Sequence, residues 1–332
     1  MTRGRALRRA LALALVAVTG AAGARRVHAQ DGRALAEQDR ASTLLERGRL
    51  VAAESIYFAA TRDRPRDPWA RLNLGRHLLA RGAGKVAAAL FEEARMFGGD
   101  GHVVGPALVL AYERSGNWRS IAAMPNSPVT PAEQRRAEWL MSHTPASSGA
   151  DSVTVPMQPA GDGEIGRVLI AIDGDPIVAT IDPAVRGIVL DTAWARRSGV
   201  RVFPNSVSGR SASAVTGVGV AAAIGIGALV LTNVPVRFQP QPSLRAVRIG
   251  LDALGDRTAT FDVSAATVTL RRGLVDARKV PGARVPTLFT DDGLCVVLDG
   301  LMPLSDLRTR AMFDGRRWTL LGGKGEIAVG PR

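Results

Sequence analysis

A glycine recurs every 34 residues in the N-terminal third of this chain, at Gly48, Gly82 and Gly116. Each glycine ends a short charged or polar segment, which reads LERG, LARG and ERSG in turn. An aromatic residue follows the first two glycines at a distance of nine residues, as Tyr57 and Phe91. A fixed period of this length restricts the segment to a stack of similar units. The sequence therefore predicts an array of paired helices here.

Residues 35–124 resemble the tetratricopeptide repeat, a helix–turn–helix unit in which small residues let the two helices approach and an aromatic residue fills the gap. Gly75 stands at one of the usual small positions of the repeat, and Pro65 closes the first unit. The closing proline is missing at Gly99, and the third unit is incomplete. The resemblance implies a protein-contact role.

The first 29 residues predict an export signal. Arginines precede the short apolar run ALALALVAVTGAA, and Val27 and Ala29 are small residues ahead of a cleavage point. The run is too short to span a bilayer, so we expect cleavage and a periplasmic or secreted protein without a stable membrane span. Because Arg25 and Arg26 lie close to the cleavage point, retention of the segment as an anchor stays an alternative.

Charge and cysteine content exclude two further classes. The predicted signal carries six arginines and no acidic residue, so its removal lowers the net charge from +13 to +7. No basic stripe with interleaved aromatic residues is present, which argues against nucleic acid as a partner. Cys295 is the only cysteine, so an internal disulfide is excluded, and its apolar neighbours in GLCVVL predict a buried small residue.

Histidine restricts the chemistry of the C-terminal half. All four histidines, His28, His77, His102 and His143, precede the β-rich part. That part therefore contains neither a histidine-dependent nucleophile nor a histidine zinc site. His77 and His102 are isolated, and we expect them on solvated helix faces. The sequence predicts no metal and no cofactor, and it leaves carboxylate chemistry as the remaining option.

A strand pattern begins at Ser152. The segment RVLIAIDGDPIVATID predicts a hairpin, and GALVLTNVPVRF and TATFDVSAATVTLRR continue the β pattern. DTAWARRSGV is a helical exception, with Asp191 as N-cap and Gly199 as the stop. The Pro- and Ser-rich residues 125–151 predict a linker with one short helix, for which Thr130 is the N-cap.

The order of these elements over about residues 166–272 resembles a retropepsin-like aspartic protease of bacterial type. In that family a strand leads into the loop Asp-Thr-Gly-Ala, which contains the catalytic aspartate. A second strand and a short helix follow, and a hydrophobic–Gly element then packs beneath this loop. Ile249 and Gly250 match the hydrophobic–Gly element, Asp252 matches the turn after it, and Phe261–Leu270 matches the closing strands.

Asp182 takes the catalytic position when the preceding hairpin is aligned with the family. Pro183 and Ala184 then stand where the family has Thr-Gly. The resemblance implies two carboxylates that share one proton, each held in a rigid loop. Pro183 supplies neither a hydroxyl group nor an N–H, and Ala184 adds a Cβ where glycine is expected. The motif therefore lacks the two residues that would position the catalytic carboxylate.

Two other aspartate segments resemble the motif less well. Asp191 is followed by Thr192 and Ala193, but the residues after them have a helical period, so we interpret Asp191 as a helix cap. The segment from Asp291 to Gly293 in FTDDGL is interpreted as a polar turn between strands.

The sequence predicts an α+β multidomain protein in which an N-terminal α-helical repeat array precedes an all-β retropepsin-like acid-protease barrel. The expected segments are a signal peptide (1–29), tetratricopeptide-like repeats (35–124), a linker with a short helix (125–151), a retropepsin-like β domain (152–275) and a C-terminal β extension that could be a remnant second lobe (276–332). We expect an aspartic-peptidase fold that is weak or inactive as a peptidase and that binds peptide or protein. The alternative is an active aspartic endopeptidase that uses Asp182 in a homodimer, since one lobe supplies only one aspartate.

Overall fold

The computed structural model describes residues 32–124, 128–161, 163–204, 217–240, 246–254, 257–273, 276–290, 293–306, 313, 316–321 and 326–330. The predicted export signal lies outside these residues, as do Asp291 and Asp292. Within the described ranges, no helix has both the length and the apolar character needed to cross a membrane.

The N-terminal part is a succession of helices joined by short turns. They are α1 (residues 32–46), α2 (Leu50–Asp63), α3 (Pro68–Ala80), α4 (Gly84–Met96), α5 (Gly101–Ser115), α6 (Trp118–Ala122) and α7 (Pro131–Ser142). Gly48, Gly82 and Gly116 lie at equivalent turns, after α1, α3 and α5, with φ of +68°, +86° and +69°. The expected equivalence of the three glycines is confirmed, and it rests on a conformation that glycine adopts without strain.

Small residues bring α3 and α4 together. A Cβ added to Gly75 would lie 2.5 Å from Cε1 of Phe91, and the Phe91 ring is fully buried. Only glycine at position 75 lets the aromatic ring fill the space between the two helices. The helices are therefore compatible with tetratricopeptide-like repeats.

His77 is not on a solvated helix face, and that expectation is wrong. The residue is 5% exposed, its Nε2 lies 3.1 Å from Oε1 of Glu54, and its ring centroid lies 5.3 Å from that of Tyr57. Burial lowers the pKa of His77, and Glu54 opposes this effect. An isolated histidine in the sequence gives no sign of the partner 23 residues away on α2.

The predicted linker is partly regular. Helix α7 begins as expected, because Oγ1 of Thr130 accepts from the Glu133 N–H and the Glu133 carboxylate accepts from the Thr130 N–H. Four residues after the helix, however, a strand begins at Ala146, where an irregular connection was expected. Its sequence, ASSG, has no apolar alternation, and its strand conformation comes from pairing with a distant segment.

The remainder of the chain is mostly β. The strands are β1 (Ala146–Gly149), β2 (Ser152–Pro156), β3 (Gly166–Ile172), β4 (Asp175–Ile181), β5 (Ile188–Asp191), β6 (Arg201–Pro204), β7 (Gly217–Ile226), β8 (Leu229–Gln239), β9 (Val247–Ile249), β10 (Arg257–Asp262), β11 (Thr267–Arg272), β12 (Ala283–Thr290), β13 (Gly293–Val297), β14 (Leu301–Pro303), β15 (Arg317–Leu321) and β16 (Glu326–Val329). Helix α8 (Thr192–Arg197) follows β5.

The first sheet closes into a barrel. Its order is β1-β8-β5-β9-β4-β3-β7-β6, and β7 also pairs with β8, so that the strands from β8 through β5, β9, β4 and β3 to β7 form a closed ring of six. Two of the pairings, β4 with β9 and β5 with β8, are parallel. The residues that follow β4 and β9 therefore leave the barrel at the same edge.

The second sheet has the order β14-β13-β12-β16-β15-β10-β11-β2. Strands β10 and β11, which the sequence matched to the closing strands of the barrel, pair with each other, with β15 and with β2 in this second sheet. Apolar residues of both sheets, such as Ile172 and Leu190 from the first and Phe261 and Ile327 from the second, form one buried cluster. The C-terminal strands thus share a core with the barrel.

Candidate functional site

Asp182 lies directly after β4, at the edge where β4 and β9 end together. Ile181 and Ile249 are paired in parallel register, and the Asp182 N–H donates to the Ile249 carbonyl at 3.0 Å. Asp182 is 4% exposed. The barrel therefore fixes the backbone of this aspartate and buries its side chain.

An arginine from β9 holds the Asp182 carboxylate. Nε and Nη2 of Arg248 lie 2.9 and 2.6 Å from Oδ2 of Asp182. The other oxygen, Oδ1, accepts from the Ala184 N–H at 2.8 Å. Among the residues that the structure describes, no second carboxylate is hydrogen-bonded to Asp182. Both oxygens thus have partners, and the charge of the carboxylate is balanced by a guanidinium group that stays protonated.

This arrangement differs from the one that aspartic-protease chemistry needs. In that chemistry two carboxylates share a proton, one activates a water molecule, and the other polarises the carbonyl group of the substrate. Here Oδ2 of Asp182 is occupied by two donors of Arg248, and that donor pair offers no proton to share. The arrangement can hold the loop in place, but it does not present a proton-sharing pair.

The Pro183–Ala184 segment is covered by the second sheet. The Leu294 N–H donates to the Pro183 carbonyl at 2.8 Å. A Cβ on Gly293 would lie 2.1 Å from that carbonyl oxygen and 2.5 Å from Cα of Ala184. Gly293, the last residue of the segment predicted as a polar turn, has φ of +92° and begins β13. The start of β13 therefore packs directly on the loop that follows Asp182.

The hydrophobic–Gly element packs beneath the same loop, as the resemblance implies. The Gly250 N–H donates to the Gly187 carbonyl at 2.7 Å, and a Cβ on Gly250 would lie 2.3 Å from the Val185 carbonyl oxygen. Oδ1 of Asp252 accepts from the Gly187 N–H at 2.7 Å. Two hydrogen bonds and the close approach of Gly250 thus fix the loop from below, and the second sheet fixes it from the other side.

Asp191 caps a helix. Its Oδ1 accepts from the Trp194 N–H at 2.8 Å at the start of α8, and Gly199 follows the helix with φ of +74°. The interpretation of Asp191 as an N-cap is confirmed. In the described ranges, no group of three or more histidine, cysteine, aspartate or glutamate side chains is placed to hold a metal ion.

Arg248 is the site residue that sequence reasoning missed. It lies between Val247 and Ile249, which are both buried, so the alternation of β9 places it on the opposite face. Its contact with Asp182 depends on the register of the parallel strands β4 and β9, in which Thr180 is paired with Arg248. The alternation can be read from the sequence, but the register cannot.

Comparison with known proteins found a family model and a solved structure that are similar to part of the chain. Residues 168–253 match a family model described as aspartyl protease. Among solved structures, the chain is similar to the crystal structure of a retropepsin-like aspartic protease from Rickettsia conorii, with 10% sequence identity and a TM-score of 0.27 over 39% of this chain and 96% of that one. No curated protein matches the chain. Residues 168–253 are therefore similar to the aspartyl protease family, and the helices before them are compatible with tetratricopeptide-like repeats.

Proposed function

We propose that this protein is an exported, retropepsin-like module that binds peptide or protein and is weak or inactive as a peptidase. The observation that carries the proposal is the contact of Arg248 with Asp182, the residue at the catalytic position. Catalysis would require Arg248 to leave a carboxylate that is 4% exposed, and an uncompensated buried charge is costly. The ion pair therefore supports a structural role for Asp182.

The covered loop argues against the alternative of an active homodimer. In such a dimer, the Asp182 loops of two chains would have to approach each other so that the carboxylates share a proton. Gly293 and Leu294 of the same chain already contact Pro183 and Ala184. A second loop could reach Asp182 from this side only if β13 moved away.

Exposed apolar side chains on the helices support protein binding. Val51 and Phe58 on α2 are 76% and 52% exposed, and Val86 and Met96 on α4 are 54% and 76% exposed. Val51 and Phe58 are seven residues apart, so they lie on the same side of α2. Apolar surface on a repeat array is a common contact site for protein partners.

A cleavage assay tests the peptidase part of the proposal. The chain without residues 1–29 is incubated with a denatured protein substrate from acidic to neutral pH, beside the variants Asp182→Asn and Pro183→Thr/Ala184→Gly. We expect no turnover by any of the three proteins, because Arg248 holds the only aspartate that the family motif supplies. Wild-type turnover that disappears in Asp182→Asn would establish the active endopeptidase instead.

A binding assay tests the other part. Fluorescence anisotropy with a labelled, permanently unfolded protein measures the affinity of the wild type and of Phe58→Ser/Met96→Ser. We expect the double variant to bind about tenfold more weakly, because it loses two exposed apolar contacts. Leu169→Ser is the matched control, since Leu169 is 64% exposed on the barrel strand β3. Equal weakening by the control would show that binding does not use the helices.

A further inference from the structure

The hairpin β13–β14 lies between the helices and the Asp182 loop, which we define as residues 182–187. All five residues of β13 are buried. Leu294 belongs to the core that the two sheets share, whereas Val297 packs with Leu50 of α2. Successive side chains of a strand point to opposite faces, so β13 packs on the sheets with one face and on the first helical repeat, formed by α1 and α2, with the other.

The turn between β13 and β14 contacts the turn between α1 and α2. A Cβ on Gly48 would lie 1.9 Å from the carbonyl oxygen of Leu298. From the other side, a Cβ on Gly300 would lie 2.9 Å from the carbonyl oxygen of Glu46. The two backbones therefore pack against each other without room for a side chain at either glycine.

Gly48 differs in this respect from the glycines of the later units. Gly82 and Gly116 lie at the equivalent turns with φ of +86° and +69°, beside +68° at Gly48. The positive φ explains a glycine at all three positions. A Cβ on Gly82 or Gly116, however, would meet no described residue within 4 Å. Gly48 therefore has a second requirement, which is the close approach of the β13–β14 hairpin.

The opposite end of β13 is fixed to the Asp182 loop. The Leu294 N–H donates to the Pro183 carbonyl at 2.8 Å. Farther along the loop, Nη2 of Arg186 donates at 2.6 Å to the carbonyl oxygen of Thr290, which ends β12. Packed interiors have low compressibility and transmit strain, so a displacement at one end of a buried five-residue strand reaches the other end.

We propose that the β13–β14 hairpin couples the first helical repeat to the Asp182 loop and thereby controls whether solvent reaches that loop. In the closed arrangement that the structure shows, the α1–α2 turn holds the hairpin on the loop, and Asp182 is 4% exposed. In the open arrangement the hairpin leaves the Pro183 carbonyl, and the amides of the loop exchange with solvent. The coupling requires no bound partner, so its test is independent of the proposed binding role.

Hydrogen–deuterium exchange of the chain without residues 1–29 tests the coupling by comparing Gly48→Ala with Gly116→Ala. The two glycines have φ of +68° and +69°, so both variants bear the same backbone strain, and only the first forces a Cβ against the hairpin. We expect Gly48→Ala to speed exchange in residues 182–187 and 293–297 by about tenfold or more. Gly116→Ala should leave these amides as they are in the wild type.

The coupling should also act in the reverse direction, because a coupling free energy is reciprocal. Gly293→Ala disturbs the end of β13 that contacts the Asp182 loop. It should therefore speed exchange in residues 46–50 at the α1–α2 turn. Gly98→Ala, at a similar positive φ without a described neighbour, should leave residues 46–50 unchanged.

Residues 166–181 of β3 and β4 are the internal reference, because faster exchange there reports global unfolding. If Gly48→Ala does not fold, Gly300→Ala disturbs the same contact from the hairpin side. The proposal is overturned if the variant at the turn leaves exchange of the Asp182 loop unchanged, if Gly116→Ala speeds it equally, or if the reference residues exchange faster to the same extent. It is also overturned if the reverse effect is absent.

Discussion

Asp182 and Glu113 are carboxylates of the protein interior that arginines hold in place. Asp182 accepts two donors of Arg248 on one oxygen, and Glu113 contacts Arg136 and Arg237. The same physical contact has different consequences at the two positions. At Asp182 it occupies an oxygen of the residue that the resemblance assigns to the catalytic position. At Glu113 it joins α5 to α7 and to β8.

Glu113 should make the stability of the protein sensitive to acid. Burial raises the pKa of Glu113, but the charges of Arg136 and Arg237 outweigh burial and leave the pKa lowered. A lowered pKa in the folded state stabilises the protein above the unfolded pKa, which is about 4.3, and this stabilisation is lost as the pH falls through the folded pKa. We expect the free energy of unfolding to decrease on acidification below about pH 5.

Glu113→Gln tests this contribution. The free energy of unfolding of the variant should be about 2 kcal/mol lower at neutral pH, because the buried Arg136 and the partly exposed Arg237 lose their carboxylate. Acidification should then lower it less than it lowers that of the wild type. Urea unfolding at several pH values measures both effects, with Glu138→Gln on the exposed side of α7 as control. A Glu113→Gln protein with the same pH dependence as the wild type would contradict this role.

Turns and helix ends that are set by residues close together in the chain were predicted from the sequence. Asp173 and Gly174, with φ of +52° and +95°, form the turn of the predicted hairpin between β3 and β4. The capping box of α7 and the cap of α8 are local in the same way. Strand β1 and the placement of β10 and β11 were not predicted, because their partners are set by pairing across long stretches of chain.

The contact of β13 with the Asp182 loop gives a prediction at the scale of elements. A Cβ on Gly293 would lie 2.1 Å from the Pro183 carbonyl oxygen, so Gly293→Ala should force β13 away from the loop. We expect a loss of about 3 kcal/mol in the free energy of unfolding, from backbone strain together with the lost packing.

Gly98→Ala is a matched control for the element contact. Gly98 has φ of +87°, close to the +92° of Gly293, but a Cβ there meets nothing within 4 Å. Gly98→Ala should therefore lower the free energy of unfolding by only about 1 kcal/mol, the cost of a positive φ for alanine. Equal losses in the two variants, measured by denaturant unfolding, would mean that the close approach of β13 to the loop does not contribute.

At the scale of the whole molecule, the helices and the β part contact each other widely. Val220 of β7 belongs to the buried cluster of the helices, and Leu50 of α2 packs with Leu288 and Val297 of the second sheet. Arg237 adds an ion pair to Glu113. The two parts still have separate main cores, because the large cluster of the two sheets contains no helical residue from α1 to α7.

This division predicts the behaviour of a truncated protein. The fragment from residue 144 onward keeps β1 and the shared core of the two sheets, so we expect it to unfold cooperatively. It should be less stable than the whole chain and bind a hydrophobic dye, because Val220, Leu288 and Val297 lose their cover. Thermal unfolding of fragment and whole chain measures the difference. A fragment without a cooperative transition would mean that the sheets need the helices to fold.

The candidate site was predicted only in part, and the reason lies in the distance between its residues along the chain. The position of Asp182 after a hairpin strand and the packing of Gly250 beneath its loop follow from the order of elements. Arg248 is 66 residues from Asp182. A contact between residues so far apart in the chain depends on strand register, which local sequence patterns do not encode.

A double-mutant cycle on Asp182 and Arg248 tests the central claim, that this carboxylate serves the fold through its arginine. The free energy of unfolding is measured in urea for the wild type, Asp182→Asn, Arg248→Gln and the double variant. We expect each single variant to lose about 3 kcal/mol and the double variant to lose about the same as either, because one broken partner already leaves the other unpaired. Losses that add up, with a coupling energy near zero, would contradict the claim.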